Sequence, residues 1–343
     1  MPGISNINIA VIGAGMAGLK AASILYQTGM TVTVFEKSCG LGGRLASRRT
    51  AFGHFNHGAQ YVTARDPGFN AFLQQATACN VAENWSPSLY RGTPSPAKSD
   101  VVCVEGNLVQ QQWYQGVPQM NKLIRPLVDD FPVQKQHRIT AIEPVNQRSF
   151  MLHDDLDGIF GPFDGIIVTA PAPQTAYLLR PLAPRYDVID DVVMAPCWAV
   201  MVAFKQPLPT GFDAMLYPCP EIGWAARSSQ NNDMFHRRTP DPWVLHASPE
   251  WSRAHLEDDK ERVTEKLLAA LRDVSGVKFP ELHSVQAHRW RYARTERPLG
   301  KSHLNGMNGR VIAAGDWCLG ARVEAAWRSG QAAAHAMIET LLG

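Results

Sequence analysis

The chain has 343 residues, enough for about two domains at ~150 residues each. Hydrophobic residues make up 45% and charged residues 19%, which excludes disorder, collagen-like repeats and a coiled coil and allows a sizeable core. Lys plus Arg exceed Asp plus Glu by only 33 to 31, so the expected partner is a small molecule, with no nucleic acid and no membrane surface.

The amino terminus lacks a basic n-region, and glycines and asparagines interrupt its apolar run, so it is expected to be structure and not a secretion signal. Ile7 to Ile12 predicts a strand ending at Gly13, Ala14 to Gln27 a helix stopped by Gly29, and Thr31 to Phe35 a second strand ending at Glu36. Together they form a βαβ unit with parallel strands. Prolines 87, 94 and 96, and later 207, 209, 218 and 220, mark loops. Gly165 to Ala170, closed by Pro171 and Pro173, and Val311 to Ala314, closed by Gly315 and Asp316, have the continuous apolar character of buried parallel strands.

Between those two runs lie strand candidates at Trp198 to Phe204, Ile222 to Arg227, Trp243 to Ala247 and Ser284 to Ala293, and a long helix from about Leu256 to Asp273. A final helix of about twenty residues is expected from near Ala321. Val192 to Phe204 is too short, and broken by Pro196, to span a bilayer needing ~20 residues, so a soluble, cytoplasmic protein is expected. The fold class is then α/β. A discontinuous nucleotide domain (1–60, 117–175 and 303–343) should carry an inserted domain of antiparallel sheet plus helix (61–116 and 176–302).

The six cysteines are widely spaced, the closest pair 22 positions apart, so reduced thiols are expected. His54 and His57 lie among glycines and there is no HExxH, so no metal site is expected.

The chemistry starts at Gly13-Ala14-Gly15-Met16-Ala17-Gly18, a GxGxxG between strand and helix. Gly13 makes the tight turn, Gly15 lets the backbone approach a pyrophosphate, and Gly18 allows close packing of helix on strand. Glu36, eighteen positions after Gly18, is placed to accept hydrogen bonds from ribose hydroxyls, and Lys37 beside it is assigned to the same cofactor. NAD and FAD present the same adenosine diphosphate to such a unit. Gly40 to Arg44 favours FAD, because it adds close-approach backbone at Gly42 and Gly43 and a guanidinium for phosphate oxygens. A flavin must also meet distant segments. Asp316, at the end of the last strand, can accept from a ribityl hydroxyl, and the backbone N–H groups of Arg322 and Val323 can stabilise the N1/C2 edge of a reduced flavin. The alternative is that Asp316 caps a helix and Arg322 is a surface charge.

These segments, with Gly58-Ala59-Gln60-Tyr61, His288-Arg289-Trp290-Arg291-Tyr292 and Gly315-Asp316-Trp317-Cys318, resemble the FAD-containing amine-oxidase-like superfamily, and within it the renalase-like flavoproteins, over essentially the full length. The resemblance implies a glutathione-reductase-like fold and noncovalent FAD, despite Cys318 in the flavin motif. It implies that Arg44, Gln60 and Tyr61 line the pyrophosphate and flavin, that the Ile139 backbone contacts adenine, and that Thr169 to Pro171 pass near the cofactor. Two departures stand out: Asn56, where similar proteins tend to carry an acidic residue, and Gly116 to Met120, where relatives more often have a Pro-Gly pair.

The resemblance also implies the reaction: misreduced 2- or 6-dihydro isomers of NAD(P)H give hydride to FAD, and O2 reoxidises the flavin, yielding NAD(P)+ and hydrogen peroxide. Hydride loss from a dihydropyridine leaves an aromatic cation, so positioning suffices without a general base. Amine oxidation, the first alternative, usually employs a lysine-held water, and only ten of the 33 basic residues are lysines. The second alternative is a flavin-fold protein without turnover. Along 289–292, strand alternation puts Trp290 and Tyr292 on one face and Arg289 and Arg291 on the other. The expectation is an aromatic face bordering the flavin with arginines attracting substrate phosphate; equally open is core aromatics with solvated arginines. His288 is expected to be a core histidine more than a catalytic one.

Overall fold

A computed structural model describes residues 4–91, 103–104, 112–128, 131–217, 219–228 and 239–343. The expected Pro94, Pro96 and Pro218 loops lie outside the described residues.

Strand Asn8–Ile12, helix Met16–Gln27 and strand Thr31–Glu36 form the expected βαβ unit. It nucleates a six-stranded sheet in the order 133–135, 31–36, 8–12, 165–168, 311–313 and 304–306, parallel except for the last strand. Gly13 turns the chain with φ +106°, which an L side chain rarely adopts, and its N–H donates to the Phe35 carbonyl at 2.8 Å. A Cβ on Gly18 would sit 1.9 Å from the Gly13 carbonyl oxygen, so the helix can lie this close to the strand only with glycine there. The strand beside 8–12 stops at Val168, earlier than expected, because Thr169 turns its hydroxyl onto the carbonyls of Ile12 (3.0 Å) and Gly13 (3.1 Å).

A seven-stranded sheet forms the second layer, in the order 282–297, 193–204, 241–247, 222–227, 214–216, 89–91 and 103–104. Two of its strands outrun expectation, Val193–Phe204 and Leu282–Arg297. Pro196 is tolerated because the ladder is irregular there: Cys197 pairs with Trp290 but Ala195 with Arg294, so a bulge absorbs the missing N–H. The long helix is Lys260–Ser275, not Leu256 to Asp273, since Asp259 caps it by accepting from the Arg262 N–H at 2.7 Å. Its Val263, Leu267 and Leu271 close one face of the sheet over Trp198, Val200 and Leu245, burial of order 2 kcal/mol per side chain.

The described residues of 61–116 divide between the layers. Strands 62–63, 113–116 and 82–84 and helix Pro67–Ala78 share a core with the nucleotide sheet through Phe69, Phe72, Leu73 and Tyr114, whereas 89–91 joins the seven-stranded sheet. We therefore propose the two-domain partition with that segment split. No helix among the described residues is long and apolar enough to cross a membrane.

Candidate active site

The cofactor-motif residues converge from both ends of the chain. Glu36 is buried, its Oε2 accepting from the Ala14 N–H at 2.9 Å and Oε1 from the Ser38 N–H at 2.8 Å, so the carboxylate is fixed at the mouth of the glycine turn. Gly15 bridges to Gly42, and the Gly42 N–H donates to the Ala14 carbonyl at 2.9 Å, bringing the second glycine loop against the first. Lys37 reaches Gln174 at 3.2 Å, and burial lowers its pKa. Ile139 opens a strand paired with Phe150–Asp154, and Pro171 caps helix Ala172–Leu179.

Arg44 and Asp316, expected to meet cofactor groups separately, meet each other in a bidentate ion pair. Arg44 also donates to the Ala293 carbonyl at 3.2 Å, and the Thr295 hydroxyl donates to Asp316 at 3.0 Å. The carboxyl-terminal helix is Val323–Leu342, starting later than expected because Arg322 is extended at its N-cap. In its backbone, the Arg322 N–H turns back to the Gly320 carbonyl at 2.8 Å, leaving Val323 to head the helix. The Arg322 side chain pairs with buried Glu324 at 2.7 Å.

Gln60 and Tyr61 lead into an aromatic box that sequence reading missed. Tyr61 stacks on Trp113 with centroids 4.2 Å apart and planes 10° apart, and Trp85 and Trp224 lie 5.9 and 5.2 Å from it. The Gln60 carbonyl Oε1 accepts from the Trp224 indole at 3.0 Å. Four segments supply these rings, so no local pattern announced them.

Beside the box, the His57 backbone carbonyl accepts from Trp290 Nε1 (3.0 Å) and from His246 Nε2 (3.1 Å). The His57 ring stacks on Trp290 at 5.3 Å, and His288 meets Trp290 at 4.4 Å. Burial, with the neighbouring His288 and Arg48 charges, pushes the His57 pKa down to about 3, and burial pushes His246 down to about 4. His288 is lowered too, by burial first. All three imidazoles are therefore neutral near pH 7. Arg289 and Arg291 both bind Glu257, at 2.9 and 2.6 Å, so a carboxylate offsets the charge assigned to phosphate attraction. The bulge after Trp290 interrupts the alternation on which the shared face of Trp290 and Tyr292 was predicted.

The two departures from the family pattern touch. Asn56 Oδ1 accepts from the Met120 N–H (3.0 Å) and from the Ser47 hydroxyl (2.7 Å). An amide oxygen thus provides acceptor capacity without burying a charge.

The model matching residues 11–76 is that of the NAD(P)-binding Rossmann-like domain, and the flavin containing amine oxidoreductase model matches residues 120–338. The second match spans more than half of the chain, which therefore belongs to the flavin containing amine oxidoreductase family. The family is one of flavin-containing oxidoreductases, and the two matched domains together support FAD as the cofactor. Carotenoid phi-ring synthase of Streptomyces griseus is 40% identical over 67 residues, 20% of this chain and 12% of that protein. Protoporphyrinogen oxidase 2, chloroplastic/mitochondrial, of Arabidopsis thaliana is 37% identical over 70 residues, 20% of this chain and 14% of that protein. In fold, the chain is similar to a "Putative protoporphyrinogen oxidase" from Exiguobacterium sp. 255-15, with TM-score 0.72 at 15% identity over 97% of this chain and 99% of that one. An oxidoreductase from Methanosarcina mazei gives 0.70 at 15% over 95% and 99%. These bear out the expected α/β dinucleotide fold.

The residues present fit FAD. A Cβ on Gly15 would meet nothing within 4 Å, so open space lies before the backbone where a pyrophosphate approaches the glycine turn. Buried donors at Gln60 Nε2 and Arg322 Nη1 have no partner among the described residues, matching a cofactor rich in acceptors. FAD supplies the two-electron acceptor. The chain's own part would be to hold the adenosine end at Gly13 to Gly18 and Glu36 and the other end near Gln60, Asp316 and Val323.

Proposed function

We propose that this oxidoreductase takes hydride from misreduced 2- or 6-dihydro isomers of NAD(P)H, with O2 as the final acceptor, giving NAD(P)+ and hydrogen peroxide. The observation that carries the reading is the pairing of a flat aromatic box at Tyr61 and Trp113 with imidazoles whose pKa values lie well below 7. Such a site can stack and orient a ring but offers only weak bases, which suits a substrate whose oxidation creates aromaticity and needs no proton removed. We further propose that the cofactor residues are those of the glycine turn, Glu36, Lys37, Gly43, Arg44, Gln60, Tyr61, Ile139, Thr169, Pro171, Gly315, Asp316, Arg322 and Val323. Trp290, Tyr292, Arg289 and His288 would border the substrate, and the protein would work in the cytoplasm.

Anaerobic mixing of the yellow holoenzyme with each reductant tests this. Bleaching by 2- or 6-dihydro-NAD(P) and not by amines is expected. Bleaching by amines alone would establish amine oxidation instead, and no bleaching by either would leave a binding protein. Trp290→Ala should lower kcat/KM for the dihydropyridine about tenfold or more.

A further inference from the structure

We propose that Arg294, steadied by Tyr217, is an oxyanion-recognition residue at the mouth of the aromatic box, so that the substrate is a planar ring carrying a phosphate or carboxylate. The inference rests on the reading of that box as the seat of the substrate's ring.

The position of Arg294 is set by its two neighbours in the chain. Ala293 gives its carbonyl to Arg44, and Thr295 gives its hydroxyl to Asp316, so the strand is tied to the Arg44–Asp316 pair immediately before and after Arg294. The bulge opposite Ala195 and Cys197 supplies the extra residues that let the strand reach across. Arg294 therefore stands beside the cofactor motif, not on an arbitrary part of the surface.

Its side chain points toward Tyr217, which lies at the edge of the aromatic box: the Tyr217 N–H donates to the Gly223 carbonyl at 2.9 Å, and Leu216 pairs with Trp224. Nη1 donates to the Tyr217 hydroxyl at 3.4 Å. The Tyr61 phenol feels both groups: burial and Tyr217 raise its pKa, and Arg294 opposes them. Tyr217 is held with φ +46° and is 48% exposed, a strained non-glycine conformation that brings a phenol to the rim at an energetic cost.

Charge distinguishes Arg294 from the arginines of the cofactor and substrate motifs. Arg44 is bound to Asp316, Arg289 and Arg291 to Glu257, and Arg322 to Glu324. Arg294 is exposed and has no carboxylate partner among the described residues. A planar guanidinium with free N–H groups beside stacked rings matches a ligand with a flat end and an oxyanion end. An amine substrate carrying only positive charge would be repelled.

The test measures tryptophan fluorescence quenching of the FAD-loaded protein by three probes of one shape: 1-naphthyl phosphate, 1-naphthoate and the neutral 1-naphthamide. The anions should bind about tenfold tighter than the amide at low salt, as expected for one charge-assisted contact, and the preference should shrink as salt rises. Arg294→Gln should abolish the preference without weakening the amide, and Arg294→Lys should keep part of it. A stronger phosphate preference identifies a nucleotide-type substrate, and a stronger carboxylate preference an organic acid. Equal binding of all three by the unaltered protein, or a preference that survives Arg294→Gln, would overturn the proposal. Bleaching by amines together with an Arg294-dependent anion preference would remove the dihydropyridine reading and leave this one standing.

Discussion

Arg44 Nη1 donates to Asp316 Oδ2 at 2.8 Å while Nη2 donates to Oδ1, joining two residues 272 positions apart. Asp316 is 5% exposed, so its charge depends on this fork and on the Thr295 hydroxyl. Arg44→Ala strands the carboxylate and should cost about 3 kcal/mol in urea unfolding. Asp316→Asn should cost less, because the guanidinium it releases is 30% exposed and can turn to water. The opposite ranking would show that the pair does not stabilise the fold in this way.

Gly15 and Gly18 separate cofactor retention from folding. Gly15→Ala has room for its methyl and should give a protein that unfolds near the temperature of the unaltered apoprotein yet binds FAD at least ~10-fold more weakly. Gly18→Ala drives a methyl into the Gly13 carbonyl and should lower the apoprotein's Tm by several degrees, as expected for ~1–3 kcal/mol of overpacking. Flavin fluorescence titration and thermal melts of the two apoproteins read the difference.

His246 and His57 set an acid limit on stability. In the unfolded chain each takes a proton near pH 6.5, whereas the folded protein resists until about pH 4 and about pH 3. Folding stability should therefore be unaffected above pH 7 and fall as pH drops below 6.5, by about 1.4 kcal/mol per unit for each histidine, down to their folded values. His246→Gln should lose its share of that slope. Urea midpoints at pH 7.5, 6 and 5 measure it, and an unchanged slope in the variant would refute the assignment.

Cys318 is fully buried, and burial pushes its thiol pKa up to about 12. A thiol so hard to ionise is a poor nucleophile toward a flavin. Acid precipitation should leave all yellow colour in the supernatant; colour in the pellet would reveal a covalent bond.

The glycine turn and its acidic partner, proposed for the adenosine end, were legible because their demands are local. A turn at Gly13, a close approach at Gly18 and an acid at the end of the next strand are steric and electrostatic requirements read within thirty-six residues. The part proposed for the isoalloxazine was less so. Arg44 and Asp316 were each recognisable, but nothing in either segment said that they pair with each other. Tyr61, Trp85, Trp113 and Trp224 come from separate segments, and Arg294 is recruited by a bulge that strand alternation does not foresee. Arg289 and Arg291 looked available until Glu257, over thirty positions earlier, came into contact with them.

The join at His57 is made by a main-chain oxygen that serves Trp290 and His246 at once. Any amino acid brings that atom, so mutation can exchange the imidazole and reshape the neighbouring surface while both donors keep their acceptor. Relatives that differ at position 57 are free to differ in chemistry without losing the seam between the glycine-rich segment and the large sheet.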